Sequence, residues 1–357
     1  MKICWLTTVA APYTINLFKQ IAKTEELCVV MHDAKEENRN DDWKIIESDS
    51  FKLYVVDNNY KKKIKEFAEY YDIFVDGMYL SFYGAYATKV FNEKNKPTVM
   101  AADGGVPRNR GFIINGIMSY LMNRHKHFLS SSVVTDRYFN YYKVDRNIQH
   151  YRFTSLFEKD ITSNKEYRNK KNQLRSELGF SDNFILLSVG RPIKVKGFDI
   201  LLNAYMKTGL TDKIDLYIVG GEPQDDIRKI VSDNKLINVH FVGVISSEEL
   251  RKYYAASDAS IICSRGDVWG LVINEALSYG LPTISSNMCM AGVHFGELCA
   301  NPAICELEDT DEYAKQINKL YYDLDYRERM SSEGLEAIKG YTIENSAQDI
   351  INALSLL

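Results

Sequence analysis

The sequence predicts an α/β protein built from two doubly wound parallel sheets. Short β-rich runs alternate with amphipathic helical stretches almost from end to end, and that alternation belongs to parallel sheets covered on both faces. The runs in the second half, such as residues 184–189, are continuously apolar, as strands buried on both faces require. A length of 357 residues is long for one domain and ample for two.

In the first half, strands are expected at residues 3–9, 27–31, 53–56, 73–75, 98–101 and 128–130, with helices at 15–23 and 62–71. In the second half, strands are expected at 184–189, 216–219, 239–242, 259–263 and 282–285. Helices fall between them at 198–206, 225–232, 247–256 and 271–279, the third opened by Ser246 as an N-cap. Residues 158–171 are polar and charged and read as a linker. The expected division is therefore 1–162, 163–340 and a last helix at 341–357, whose residues Ile343, Ala347, Ile350, Ile351 and Leu354 share one face. Two such sheets facing one another would each offer the carboxyl ends of its strands to a common cleft.

Composition narrows the function classes. A hydrophobic fraction of 45% and a charged fraction of 26% describe a globular protein, and a net charge of -4 argues against a nucleic-acid partner. The six cysteines form no CxxC pair and no metal-ligand spacing, so reduced, buried thiols are expected. The chain opens on a strand-like run without a signal-peptide layout, and no apolar stretch approaches the roughly 18 residues that span a bilayer. A cytoplasmic location is expected, the inner face of the membrane included.

Two clusters carry chemistry. The first runs from Ser264 through Asp267, Trp269, Gly270, Leu271 and Val272 to Glu275. It leaves a buried strand and turns at Gly270 into a helix. Asp267 and Glu275 are separated by seven residues, so both carboxylates can face a ligand held above the helix N-terminus, whose N–H groups form an anion site. The second holds Gly190, Arg191, Lys196 and Gly197 between another strand and helix. A planar guanidinium, an ammonium and close backbone approach are what a diphosphate requires. Neither GxxxxGK[ST] nor GxGxxG occurs at these places. No metal-binding pair is convincing: Asp41-Asp42 and Asp225-Asp226 read as solvated acids.

Together with Val219-Gly220-Gly221, these clusters resemble the retaining glycosyltransferases of family 4, of the bacterial polysaccharide-biosynthesis type. The resemblance covers the second domain from Gly190 to about Ala314. It implies the GT-B fold, two facing Rossmann-like doubly wound domains with a C-terminal helix crossing back to the first. The first domain would bind the acceptor and the second a nucleotide-sugar donor, a UDP-sugar before a GDP-sugar. By the same resemblance Arg191 and Lys196 bind the donor diphosphate, and Glu275 holds the ribose hydroxyls. Gly190, Gly220, Gly270, Leu271 and Val272 line the donor. Asp267 stands where the family's E-x7-E motif has its first Glu, and it is one methylene shorter.

Asp103, at the end of a strand on a Gly-rich loop, resembles the family's acid or His near the sugar, or is simply a turn-forming Asp-Gly. Pro12 and Tyr13 stand where many relatives have a Gly-rich loop. Residues 112–128 mix apolar side chains with Arg108, Arg110, Arg124 and Lys126, which suits either a buried helix with charged ends or a surface on anionic lipid. The implied function is retaining, metal-independent transfer to a saccharide or lipid-linked saccharide, with no cofactor beyond the donor. A nucleotide-sugar 2-epimerase of the same architecture and a non-catalytic nucleotide-sugar-binding subunit are the alternatives.

Overall fold

The computed structural model describes residues 1–8, 11–32 and 48–357. The chain divides into two compact units, Met1–Thr154 with Tyr341–Leu357, and Ser155–Gly340.

Among the described residues the first unit holds strands β1 (Lys2–Thr7), β2 (Glu26–Met31), β3 (Lys52–Val55), β4 (Ile73–Asp76), β5 (Thr98–Ala102), β6 (His127–Ser130) and β7 (Ile148–His150). They form one parallel sheet in the order β3-β2-β1-β4-β5-β6-β7. Successive side chains of β1 point to opposite faces. Cys4 and Leu6 join Phe74, Ile64 and Phe91 on one side, whereas Trp5 meets Phe18 edge-on at 5.4 Å between ring centroids. Phe18 lies on the helix Pro12–Ile21, so Pro12 and Tyr13 occupy a first helical turn, where the missing N–H of proline costs no hydrogen bond.

The helix Ile343–Ser355 packs on that same helix and belongs to the first unit. Ile343, Ala347, Ile350 and Leu354 are buried, whereas Ile351 lies at the edge of the stripe, half-buried. Asp349 accepts two hydrogen bonds from the Arg152 guanidinium, at 2.6 and 2.7 Å, and one from the Arg152 N–H at 3.1 Å.

The second unit continues with β8 (Phe184–Val189), β9 (Ile214–Val219), β10 (Val239–Phe241), β11 (Ala259–Ile262), β12 (Thr283–Ser286) and β13 (Ala303–Cys305). The parallel sheet has the order β10-β9-β8-β11-β12-β13. On β8, Leu186 packs with Phe198, Leu201 and Leu202 on one face, and Leu187 with Tyr253, Tyr254 and Ala276 on the other. Both faces are therefore dry, which explains the unbroken apolar run. In each sheet the strand order reverses once, between β1 and β4 and between β8 and β11. Such a reversal opens a crevice at the carboxyl ends of the two strands.

The polar stretch 158–171 is not a linker. Glu158–Asn169 is a helix of the second unit, so the expected division at 162/163 falls inside it. One side of it is tied to the unit by polar side chains: Asn164 donates to Ser278 Oγ at 2.8 Å and Arg168 to the Ser278 carbonyl at 2.8 Å. The Arg251 guanidinium in turn donates to Asn164 Oδ1 at 3.0 Å. Hydrogen bonds do here what apolar packing does elsewhere, so composition misread the segment. The strand expected at 3–9 ends at Thr7, with Val9 outside the described residues.

Removing the Asp349 carboxylate leaves the Arg152 guanidinium and N–H without that acceptor. Asp349→Ala is expected to cost roughly 2 kcal/mol. Denaturant unfolding, with hydrogen exchange read at the helix Ile343–Ser355, checks the value and its location.

Candidate functional site

The strand-order reversal of the second unit brings the two sequence clusters together. After β8, Gly190 donates its N–H to the Val219 carbonyl at 2.8 Å, and the chain descends through a short 3-10 turn, Lys194–Lys196. Gly197 then adopts φ +68° and opens the helix Phe198–Lys207. A Cβ at Gly197 would run into the Cys263 carbonyl oxygen, on the loop that leaves β11. That close approach requires glycine and presses the two loops against each other. Further bonds lace them: Arg265 N–H donates to the Val195 carbonyl at 2.7 Å, and the Arg265 guanidinium grips both oxygens of Asp199 at 2.7 Å. The guanidinium holds the Asp199 carboxyl below its ordinary range.

Across this seam Lys196 Nζ pairs with Asp267 Oδ2 at 2.7 Å, and Ser264 Oγ donates to the same oxygen at 2.9 Å. Both charged side chains are partly buried. An ammonium has three donors, so Lys196 can hold Asp267 and still reach a phosphate. Asp267 bridges to Cys289 in parallel register, and its N–H donates to the Met288 carbonyl at 2.9 Å. Its backbone is thus part of the sheet's extension rather than a loose loop.

Gly270 has φ +98°, and a Cβ on it would strike Cys289 Sγ. From that turn the helix Leu271–Ser278 starts, and its first N–H groups, on Leu271 and Val272, have no acceptor within the helix. Trp269 Nε1 donates to Asn274 Oδ1 at 2.8 Å beneath them, both residues buried, which anchors the turn.

Glu275 lies in the second turn of this helix. Its Oε2 accepts from the Tyr254 hydroxyl at 2.8 Å. Tyr254 stacks on Tyr279 with ring centroids 5.4 Å apart and 10° between planes, and Arg251 donates to the Tyr279 hydroxyl at 3.1 Å. Burial pushes the Glu275 carboxyl up to about 7, against the smaller opposing effect of the Tyr254 hydrogen bond. The site thus holds a carboxyl poised near neutrality beside an ion pair and a helix N-terminus.

Gly220 leaves β9 next to this assembly, with its N–H donating to the Gly243 carbonyl at 2.8 Å. Arg191 is exposed on the loop after β8. Asp103 belongs to the first unit. It lines a cavity of about 270 Å³ at the carboxyl ends of β1, β4 and β5, with Thr7, Thr8, Tyr13, Gly77 and Tyr151. Burial raises its carboxyl above the ordinary range, and the Asp103 charge adds to the burial that raises the Tyr151 phenol.

Among the described residues, no group of three or more His, Cys, Asp or Glu side chains is arranged to hold a metal ion. Asp225 and Asp226 start the helix Asp225–Asp233, and Asp41-Asp42 lie outside the described residues. Sequence reading missed Tyr254, Ser264, Arg265 and Cys289 as parts of the site. Ser264 and Arg265 sit in the quoted cluster and could have been marked by proximity to Asp267. Tyr254 and Cys289 come from other elements and have no short-range signal.

The raised Glu275 carboxyl has a definite consequence for stability. Between its model-peptide value of 4.5 and about 7, the folded chain holds the proton more tightly than the unfolded chain does. This contribution is complete below pH 4.5, declines as pH rises, and is gone above about 7. Glu275→Gln removes that decline and is expected to gain at most about 3 kcal/mol over the native chain at pH 8. Tyr254→Phe removes the bond that favours the ionised form, so the decline should extend to higher pH. Thermal unfolding of the three proteins from pH 4 to 9, without ligand, tests both outcomes.

Residues 169–337 match the family model described as glycosyl transferases group 1. An uncharacterized 41.2 kDa protein in the cps region of Klebsiella pneumoniae is 36% identical over 103 residues, 29% of this chain and 27% of that protein. The O-antigen chain mannosyltransferase B of Escherichia coli is 31% identical over 121 residues, 33% of this chain and 30% of its own. The chain thus spans less than a third of the length of either relative. The crystal structure of Anabaena Alr3699/HepE in complex with UDP superposes over 100% of both chains, with a TM-score of 0.78 at 16% identity. The same Anabaena protein in complex with UDP-glucose gives a TM-score of 0.74 at 17% identity, again over 100% of both chains. Residues 169–337, within the second unit, thus match the group 1 glycosyl transferase model, and the likeness to the Anabaena structures shows the GT-B fold.

Proposed function

We propose that the protein is a retaining glycosyltransferase that moves a sugar from a nucleoside-diphosphate sugar to a lipid-linked saccharide in surface-polysaccharide synthesis. A UDP-sugar is the preferred donor and a GDP-sugar the next. The observation that carries the reading is the Lys196–Asp267 pair at 2.7 Å, which joins both clusters beside the N-terminus of the helix Leu271–Ser278. The Anabaena neighbour in complex with UDP and with UDP-glucose favours the uridine donor, and the mannosyltransferase relative favours a saccharide acceptor.

Each residue then has a task. Glu275, held by Tyr254, takes the ribose hydroxyls. Asp267 takes hydroxyls of the donor sugar. As the bond to the anomeric carbon breaks, negative charge grows on the departing diphosphate. Arg191, Lys196 and the N–H groups of Leu271 and Val272 meet that charge, and they do so without a metal ion. Gly190 and Gly220 let the backbone approach. Retention follows if the acceptor attacks from the side of the leaving group, whose phosphate oxygen takes the acceptor's proton. Asp103 takes the part of the acid that the family carries near the sugar, and burial raises its carboxyl above the ordinary range.

Thermal shift with UDP, GDP, ADP, CMP and NAD identifies the donor base. A ligand at about 100 times its dissociation constant adds roughly 2.7 kcal/mol. A shift with NAD alone would overturn the reading. For the chemistry, Lys196→Ala is expected to lower turnover about 100- to 1,000-fold, the loss of one preorganised donor to the developing charge. Normal turnover by the folded variant would remove Lys196 from the mechanism. UDP release in the absence of acceptor, with epimerised sugar as product, would favour an epimerase instead.

A further inference from the structure

The helix Phe112–Met122 of the first unit is unusual in what it leaves uncovered. Only Met118 and Met122 are buried. Phe112 is 94% exposed, Ile113 76%, Tyr120 67% and Ile117 55%. At 100° per residue these four fall on one side of the helix, opposite the two buried methionines. Leaving such a face in water forfeits the main driving force of folding, and large exposed apolar patches on soluble proteins mark interaction sites.

The surroundings of the face say what it meets. Residues 104–135 contain no Asp or Glu, in a chain whose net charge is -4. Arg108 and Arg110, just before the helix, and Lys126, just after it, are exposed. Arg124, between the helix and Lys126, is fixed: its guanidinium donates to the Ala85 carbonyl at 3.0 Å and lies 5.9 Å from the Tyr120 ring. Phe82, which opens the helix to which Ala85 belongs, is exposed as well. An apolar face with cations at both ends and no acid in the flanking sequence complements an anionic bilayer surface: rings and branched chains among the acyl chains, cations at the headgroups. With 11 residues the helix cannot span a bilayer and would lie in its plane. No helix of the described residues is long and apolar enough to cross a membrane.

We propose that the face formed by Phe112, Ile113, Ile117 and Tyr120, flanked by Arg108, Arg110 and Lys126, docks the first unit on an anionic lipid bilayer. This deepens the proposed function and rests on it for its purpose, because a lipid-linked acceptor must be met at a membrane. The binding itself is measurable without donor or acceptor.

The test is co-sedimentation of the full chain with vesicles of phosphatidylcholine alone and of phosphatidylcholine with phosphatidylglycerol. Binding is expected with the anionic vesicles and should weaken as salt rises. Two variants separate the contributions. The combined substitutions Phe112→Ser, Ile113→Ser and Ile117→Ser, all on exposed positions, should lower anionic-vesicle affinity about tenfold or more. So should Arg108→Glu with Arg110→Glu, which should also flatten the salt dependence. The unliganded unfolding temperature checks that each variant folds. Absence of binding by the native chain, or binding by both variants as tight as that of the native chain, overturns the proposal. Concentration-dependent dimerisation that the serine variant abolishes, without vesicle binding, overturns it in favour of a second copy of the chain. Neither negative result touches the donor reading, which the nucleotide shifts test separately.

Discussion

The ion pair between Lys196 and Asp267 is the contact on which the candidate site depends. The two residues leave different strands, β8 and β11, and meet only because the strand order reverses between them. A salt bridge at the surface contributes little. This one is partly buried, takes a second bond from Ser264, and sits on loops already held by Gly197 and by the Arg265–Asp199 fork. Its value is positional. Without a partner, the Lys196 ammonium would sample many rotamers; with one, it is fixed beside the helix N-terminus where anionic charge is best received. An arriving diphosphate would find the cation already ordered, so less entropy is lost on binding.

The fold was legible because burial on both faces leaves a plain mark. Leu186 and Leu187 face different helical layers, so neither could be polar, and the resulting apolar run reads as a parallel strand without any alignment. The segment 158–171 shows the limit of the same logic. Composition recognises apolar packing, whereas Asn164 and Arg168 are held by hydrogen bonds to Ser278, 114 and 110 residues away. Polar residues that make specific long-range bonds look identical, in sequence, to polar residues in water.

The site divides along a similar line. Gly190, Lys196, Asp267, Gly270 and Glu275 lie within two short clusters, each read as a strand, a turn and a helix, and the backbone around them follows those motifs. Their partners are different. Tyr254 reaches Glu275 from a helix 21 residues upstream, and Cys289 closes under Gly270 from beyond β12. Nothing local announces either. In the first unit, Asp103 illustrates an intermediate case: its Asp-Gly context fits a turn, and the sequence gives no sign of the cavity it lines with Thr7, Thr8 and Tyr151. The helix Phe112–Met122 is a fourth kind, since its apolar residues suit a core or a surface equally, and exposure alone decides.

Glu275 links these threads. A carboxyl that receives one hydroxyl bond and is otherwise desolvated is held near its protonation midpoint at neutral pH. Ligand hydroxyls donating to it would supply what burial has taken away and favour the ionised form. The ligand-free site therefore stores an unfavourable desolvation that a diol-bearing ligand relieves, while a ligand lacking the diol does not. Discrimination of this kind comes from leaving a buried polar group unpaired with the wrong ligand rather than from extra contacts with the right one. The stacked Tyr254–Tyr279 pair, braced by Arg251, fixes the hydroxyl that donates to Glu275, and so maintains the condition on which that discrimination rests.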